Sequence, residues 1–403
     1  MANNIYTVDL IATGSETISL TDDGSGIDEI SVVGLYDATV AINLNWTSDT
    51  GHATSGEGNY FTAGNIGHRL IVNGVIENAT GSNGHDFIQG NELGNVIYGD
   101  AKTGGLGLSD TLWGAAGDDT IYGGAGDDGI QGDDGFDRLF GGIGNDTVTG
   151  GFGADILEGG TGADVLYGGA TARDTVSYAA SSAGVRIAIT FGAASTGIGG
   201  DAAGDSLSGF YDAIGSAFAD RIEDTEKGTV AFGQNDNAFY GANGRDLLLL
   251  GGGNDTGQGG AGDDRIIGEV GDDLLYGGSG NDDLRGGLGR DRLTGDGGAD
   301  QFIFALAAES TVALAQRDSI LDFNQAEHDQ IDLSGLDARV GLTGNQAFHF
   351  IGANPFSAGS GALRAVIRGD TTLIYGDTNG DKTADFAILL KGAITLTEAD
   401  FVL

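Results

Sequence analysis

Apolar side chains in the middle of this chain come singly and on a beat of nine. From Gly114 the sequence reads GAAGDDTIY, GGAGDDGIQ, GDDGFDRLF, GGIGNDTVT, GGFGADILE and GGTGADVLY, and a seventh copy, GGATARDTVS, carries one extra residue. Seven more blocks run from Gly241 to Ile303: GANGRDLLL, LGGGNDTGQ, GGAGDDRII, GEVGDDLLY, GGSGNDDLR, GGLGRDRLT and GDGGADQFI. Looser copies precede each array, GSNGHDFIQ and GNELGNVIY from Gly81 and GSAFADRIE from Gly215. In the thirteen regular blocks the sixth residue is always Asp, and the eighth is Ile, Leu, Val or Phe in all but the block of Gly257. Each block therefore predicts a glycine-rich turn and then a strand of three residues, with position eight inward and positions seven and nine outward. Three residues cannot stand alone as a strand. Stacked on the same triplet of another block about 4.8 Å away, they pair along a solenoid.

Outside the arrays the alternation has period two. TVAINL and GVRIAI read as strands, as do ALRAVIR, TTLIYG and ADFAILL after about Phe304, where glycine thins. The stretches ahead of the two arrays resemble each other: Asp28–Ser31 lines up with Asp174–Ser177, Thr39–Ile42 with Gly184–Ile187, and Ala79–Ser82 with Ala213–Ser216. That alignment sets Asp86 opposite Asp220 and predicts a duplicated module of longer strands feeding an array. The best helical candidate is Ala305–Gln316. The division that follows is an N-terminal β segment over 1–80, a first roll over 81–173, a connecting solenoid segment over 174–214, a second roll over 215–303 and a C-terminal β domain over 304–403.

Composition sharpens this picture. Of 403 residues, 77 are Gly, one is Pro and none is Cys; 59 acidic residues stand against 18 basic ones, for a net charge of −41. Such a charge argues against nucleic-acid binding, because no basic stripe exists to neutralise phosphates. The lack of Cys excludes disulfides, thiolate zinc sites and a Cys nucleophile. No apolar run is long enough to span a membrane as a helix. The opening MANNIYTVDLIATGS has neither a basic nor an apolar region, so no cleaved secretory leader is expected.

The fixed phase of the Asp residues carries the functional expectation. If two nonapeptides make one coil, Asp155 lies over Asp137 and Asp282 over Asp264. Unit charges about 4.8 Å apart repel by about 1 kcal/mol in water and about 3–4 kcal/mol at an effective dielectric of 20. Repeated along two edges, that repulsion reaches the whole stability of a domain, about 5–15 kcal/mol. A divalent cation between rungs turns repulsion into cohesion. Carboxylate and main-chain carbonyl oxygens at glycine turns suit calcium, which accepts six to eight oxygens in forgiving geometry, better than magnesium.

The blocks resemble the RTX, or haemolysin-type, nonapeptide GGxGxDxUx. The resemblance implies an all-β fold, a right-handed parallel β-roll (a β-solenoid) of eighteen residues per coil, with calcium held by the position-six carboxylates and by carbonyls of the glycine turn. Those carboxylates are Asp119, Asp128, Asp137, Asp146, Asp155 and Asp164 in the first array, and Asp246, Asp255, Asp264, Asp273, Asp282, Asp291 and Asp300 in the second. Asp86 and Asp220 join them from the looser copies. About ten ions are expected if each needs two blocks. Coils departing from the pattern are expected to bind poorly: Asn95 replaces Asp, residues 99–113 break the spacing, and Gly257 leaves a rung without a core side chain.

The last hundred residues, through DSILDF, DQIDLSGLD, GDTNGDKTADFAILLKG and LTEADFVL, resemble the C-terminal domain of serralysin-type metalloproteases, which implies a β-sandwich-like cap on the roll. Within it Asp377, Asn379, Asp381 and Asp385 fall at EF-hand-like positions one, three, five and nine, without the Gly at six or the Glu at twelve. Either a calcium site or an Asx-rich turn fits that spacing. The closing Asp400-Phe-Val-Leu403 resembles the family's uncleaved type I secretion signal, which implies the type I machinery as a partner and an extracellular destination.

Catalytic motifs do not emerge. The five histidines, His52, His68, His85, His328 and His349, do not form HExxH, and no GxSxG elbow occurs. Gly204-Asp-Ser-Leu207 spells the GDSL string of some esterases inside a solenoid-like stretch, where Ser206 reads as a loop serine. Trp46 and Trp113 suit either sugar platforms or ordinary packing. Position nine carries Tyr122, Phe140 and Glu158 on alternate rungs of the first array, and Leu249, Ile267, Arg285 and Ile303 in the second. These stripes suit packing between rolls or self-assembly. The expected function is a secreted, non-catalytic calcium-binding protein that folds outside the cell and has a structural, adhesive or surface-layer role, with self-assembly or a cell-surface polysaccharide as partner. The competing reading is a secreted enzyme, either polysaccharide-acting or a diverged serralysin relative.

Overall fold

The computed structural model describes residues 78–403 apart from 82–83, 101–106, 170–171, 191–193, 226–235, 341–342, 358 and 360; before residue 78 it describes the backbone of five strands. Two compact units divide the chain, one formed by 1–180 with 192–210 and the other by 181–191 with 211–403. Both are all-β. Among the described residues the only helical turns are three short 3-10 segments, and no helix is long and apolar enough to cross a membrane.

In the first unit, consecutive blocks alternate between two parallel sheets. One contains Val96–Tyr98, Thr120–Ala125, Arg138–Ile143 and Ile156–Thr161, in which Ile97, Ile121, Leu139 and Leu157 pair in register. The facing sheet runs from Phe87–Gln89 through Thr111–Ala116, Gly129–Asp134 and Thr147–Phe152 to Val165–Gly169. Thr120 opposite Arg138 and Gly129 opposite Thr147 fix eighteen residues per coil. Position-eight side chains are fully buried, and the core is this single file of Ile, Leu and Val from each sheet. The facing sheet ends where the two-residue strand Ser195–Thr196 pairs antiparallel with Ser206–Ser208, which blunts an edge otherwise open to strand addition.

The second unit repeats the plan. Its sheets run through Ala238–Asn243, Thr256–Ala261, Leu274–Ser279 and Arg292–Gly297, and through Arg221–Asp224, Leu247–Leu249, Arg265–Val270, Asp283–Leu288 and Gln301–Ile303. Both sheets continue into the C-terminal region. Ser319–Ile320 joins the first to the antiparallel meander Ala362–Arg368, Thr371–Asp377 and Phe386–Lys391, and Gln330–Asp332 joins the second to Phe401–Val402. The sandwich-like cap is thus built on the roll's own two sheets.

The strands are longer than the period predicts. They span six residues, as in Thr120–Ala125, because pairing resumes past position one and stops only at positions four to six. Position two then takes positive φ, as Gly124 and Gly142 do, and blocks without Gly there impose it on Ala115, Asp133, Ala242, Glu269 and Asp296. Position four cannot vary: a Cβ on Gly144 would lie 1.8 Å from the Gly126 carbonyl oxygen of the preceding coil.

Two further expectations need correction. Gly257 leaves no gap, because its block places Leu250 where the others place Gly. A Cβ on Gly257 would lie 3.0 Å from Leu250 Cδ1 and 2.7 Å from Ile266 Cγ2. Residues 305–316 form no α-helix, only a 3-10 turn at Leu314–Gln316. Glu309 pairs instead with Arg285 on the roll, and the Ser310 hydroxyl donates to the Ala387 carbonyl, so tertiary partners override a marginal local preference. The duplication ahead of the arrays has a backbone counterpart: Ala41–Asn43 pairs parallel with Phe87–Gln89 as Arg186–Ile189 does with Arg221–Asp224. Asp28, Thr39, Val40 and Ser82 of that alignment lie outside the described residues.

Candidate metal centre

The roll brings the position-six aspartates into four files at the turns. In the first unit one file is Asp86, Asp110, Asp128, Asp146, Asp164 and Asp205, and the other is Asn95, Asp119, Asp137, Asp155 and Asp174. In the second unit one is Asp220, Asp246, Asp264, Asp282, Asp300 and Asp329, and the other is Asn237, Asp255, Asp273, Asp291 and Asp318. One bond recurs throughout: the main-chain N–H of each member donates to Oδ1 of the next, for example Asp119 to Asp137 at 2.8 Å and Asp128 to Asp146 at 2.8 Å. Each such bond is charge-assisted, and it fixes the carboxylate's orientation.

Oδ2 is treated differently. In Asp110, Asp119, Asp128, Asp137, Asp146, Asp155 and Asp164, and in Asp246, Asp264, Asp273, Asp282, Asp291 and Asp300, it is buried and bonded to no group of the protein. A buried carboxylate oxygen without a partner is costly, and a row of them is a reason to look for a ligand. The space beside each is shaped by glycine. A Cβ on Gly123 would lie 2.5 Å from both Asp128 Oδ2 and the Gly141 carbonyl oxygen, and one on Gly259 would lie 2.3 Å from Asp264 Oδ2 and 2.7 Å from the Gly277 carbonyl. A carboxylate oxygen of one coil and a carbonyl of the next thus converge where only hydrogen fits on the glycine. Hard oxygen donors without nitrogen or sulfur fit calcium. Among the described residues no three His, Cys, Asp or Glu side chains gather as a metal site, so main-chain carbonyls must complete any coordination here.

The electrostatics agree. Burial pushes Asp119 up to about 8 and Asp128, Asp137 and Asp146 up to about 7, against the opposing effect of the N–H bond on Oδ1. Asp273 rises to about 9 through burial and then the charge of Asp291. A cation beside them removes that penalty.

Six file members escaped the repeat pattern: Asp110, Asp174, Asp205, Asn237, Asp318 and Asp329. Insertions hide the Asp members, since Asp205 follows Asp164 by 41 residues and Asp318 follows Asp291 by 27. The usable signal is local, an Asp two residues ahead of an inward apolar residue, as in SDTLW, GDSLS and RDSILDF. Residues 99–113 do break the spacing, since Asp110 follows Asp86 by 24 residues where regular coils take 18, yet Asp110 keeps its place in the file. The GDSL string is resolved likewise: Asp205 is a file member, and Ser206 opens the strand Ser206–Ser208.

A second row, at position five, lies outside the first. Asp127 Oδ1 accepts from Asn145 N at 2.7 Å and Asn145 Oδ1 from Ala163 N at 3.0 Å; in the second unit Asp236, Asn254 and Asp272 pass the same bond to Arg290. These exposed bonds run opposite in chain direction to those of position six and clamp the turn from outside.

Residues 377–385 are arranged otherwise. Asp377 accepts from Asn379 N, Gly380 N and Lys382 N; Asp385 accepts from Thr378 N and Oγ1 and from Asn379 Nδ2; Asp381 accepts from the Thr383 N–H and hydroxyl. The loop satisfies its own oxygens as a series of Asx turns. Trp113 stands edge-on to Phe87, with ring centroids 5.1 Å apart, while Trp46 lies outside the described residues. Tyr98, Tyr122 and Phe140 stack face to face at 4.8 Å, so each position-nine ring covers its neighbour.

Comparison with known families bears out both sequence resemblances. Residues 104–139 and 140–172 match the RTX calcium-binding nonapeptide repeat, and residues 236–403 match the Peptidase M10 serralysin C terminal family. The chain carries RTX repeats and a serralysin-type C-terminal domain. Among solved structures these RTX rolls are similar to the AlgE6R3 subunit of the Azotobacter vinelandii mannuronan C5-epimerase, at 32% identity over 35% of this chain and 73% of that one, with a TM-score of 0.26. They are also similar to the AlgE6R2 subunit of the same epimerase, at 24% identity over 47% of this chain and 91% of that one, with a TM-score of 0.21. No curated protein matches the chain.

Proposed function

We propose that this RTX chain is a secreted protein that folds outside the cell as calcium enters its aspartate files, and that the folded rolls are structural, adhesive or layer-forming rather than catalytic. The supporting observation is the row of buried, unpartnered Oδ2 atoms, most of them beside a glycine carbonyl of the next coil. Calcium would supply positive charge between carboxylates that otherwise repel. The chain's own part is to hold every Oδ1 by a main-chain N–H, so that Oδ2 is already aimed when the coil closes. Before closure the −41 net charge keeps the chain extended and fit for export by a type I machinery. At calcium a hundredfold above the dissociation constant, each filled site contributes about 2.7 kcal/mol.

The test is circular dichroism and metal content on one preparation. EDTA-treated protein is expected to give a coil-like spectrum, and millimolar calcium to restore the β signal with several ions bound per chain. A β spectrum unchanged by rigorous calcium removal would refute the switch. In the same preparation, turnover of alginate-like or casein substrates that survives purification would replace the non-catalytic reading with an enzymatic one.

A further inference from the structure

The file members are not all alike, and three that differ stand at file ends, whereas Asp318, also an end member, resembles the interior. Inside the files Oδ2 is buried without a partner, as in Asp128, Asp146 and Asp164. At three ends the protein's own donors reach it. Asp205, which closes its file in the first unit, accepts the Tyr178 hydroxyl on Oδ2 at 2.7 Å while Oδ1 takes the usual bond from Asp164 N at 2.8 Å. Asp220, which opens its file in the second unit, accepts Ser216 N on Oδ2 at 2.6 Å. Asp329, which closes that file, accepts Asn324 N on Oδ2 at 2.8 Å.

We propose that these donors are terminators: Tyr178, Ser216 and Asn324 occupy the carboxylate oxygens that a cation takes elsewhere, so that Asp205, Asp220 and Asp329 stand in register without serving as calcium ligands. The inference rests on calcium occupying the interior of the files. The chemistry is substitution of one charge partner for another, since a hydroxyl or amide donor satisfies a carboxylate oxygen as a cation does, with less charge. Tyr178 suits the task. It is 1% exposed beside Asp205, which is itself fully buried, and burial with the neighbouring carboxylate holds the phenol far above its ordinary range, so it stays a donor. The geometry explains how the files of Asp205 and Asp329 close. Asp318, which closes the neighbouring file of the second unit, has no such donor on Oδ2 among the described residues and keeps the unpartnered oxygen of an interior member.

The experiment counts ions. Parent chain, Asp205→Asn, Asp146→Asn and Tyr178→Phe are refolded in calcium, and bound calcium per chain is measured after exhaustive dialysis against a low fixed calcium level. Asp205→Asn keeps the Oδ1 acceptor for Asp164 N, and its Nδ2 donates to the phenol oxygen in place of accepting from it, so the file end stays closed and its count is expected to equal the parent's. Asp146→Asn, in the file interior, is expected to lose at least one ion. Tyr178→Phe removes the only donor on Asp205 Oδ2 among the described residues, leaving it like the interior members, and a gain of one ion is expected. Loss of an ion in Asp205→Asn would overturn the proposal, as would an unchanged count in a folded Tyr178→Phe. Should Tyr178→Phe fail to fold, Asp205→Asn against Asp146→Asn decides alone. A parent chain that folds and binds no calcium would instead remove the functional reading beneath it.

Discussion

At the scale of single residues, the repeat tolerates departures only where a neighbour absorbs them. Position two is the lenient one. Ala115 and Ala242 take φ of 84° and 78°, at a cost of about 1–2 kcal/mol for a left-handed backbone with a side chain, whereas position four faces a carbonyl at less than contact distance and stays Gly. The block LGGGNDTGQ shows a linked departure. Leu250 at position one fills the core that Gly257 at position eight vacates, so the two changes offset each other. Leu250→Ala is expected to cost about 2–5 kcal/mol, as for other buried leucines. Gly257→Leu alone should also destabilise, because Leu250 and Ile266 already fill the space. The double variant Leu250→Ala with Gly257→Leu returns the block toward the common pattern and should exceed the sum of the singles by about 1–3 kcal/mol. Denaturant midpoints of the four calcium-loaded proteins measure this, and simple additivity would show that the two positions do not share one volume.

At the scale of the coil, the file of carboxylates makes the metal-free fold sensitive to pH in a calculable direction. An unfolded Asp titrates at 3.8, whereas Asp128 and Asp137 in the metal-free roll rise to about 7, Asp119 to about 8 and Asp273 to about 9, chiefly through burial. A raised carboxyl keeps its proton in the fold at a pH where the unfolded chain has lost it. Its stabilising contribution is therefore whole below 3.8 and disappears as pH rises through about 7–9. In EDTA the chain is expected to hold more β structure at pH 5 than at pH 9. With limiting calcium the trend reverses, because protons compete for the same oxygens and apparent affinity rises with pH. Circular dichroism titrations with and without calcium check both arms, and parallel curves would contradict the assignment of calcium to these files. The coil itself was legible from the sequence, because Asp at position six and an apolar residue at eight recur without slippage, which fixes register and inward face together. What was not legible has physical causes. Six-residue strands were masked because glycines read as turn while their backbone continues the ladder. Asp205 and Asp318 sit beyond insertions that erase the period. The turn at 305–316 is set by Arg285 and Ala387, far away in sequence.

For the whole molecule, a net charge of −41 raises the question of whether calcium acts as a ligand or merely as a screen. The two differ in what they do for a buried oxygen. Screening reduces repulsion between charges that face solvent, and at 1 M salt it acts over about 3 Å. It does nothing for Asp119 or Asp264 Oδ2, which are out of contact with solvent and lack a donor. A filled site supplies that missing partner. Sodium chloride at about 1 M is therefore expected to contract the metal-free chain without restoring its β spectrum, whereas millimolar calcium at low ionic strength restores both. Magnesium, which holds its waters more tightly and demands a stricter octahedron, should fall well short of calcium at equal concentration. Hydrodynamic radius and circular dichroism recorded together separate contraction from folding. If sodium chloride alone recovered the β signal, the unpartnered oxygens would be incidental and repulsion along the edges would be the whole obstacle to closure.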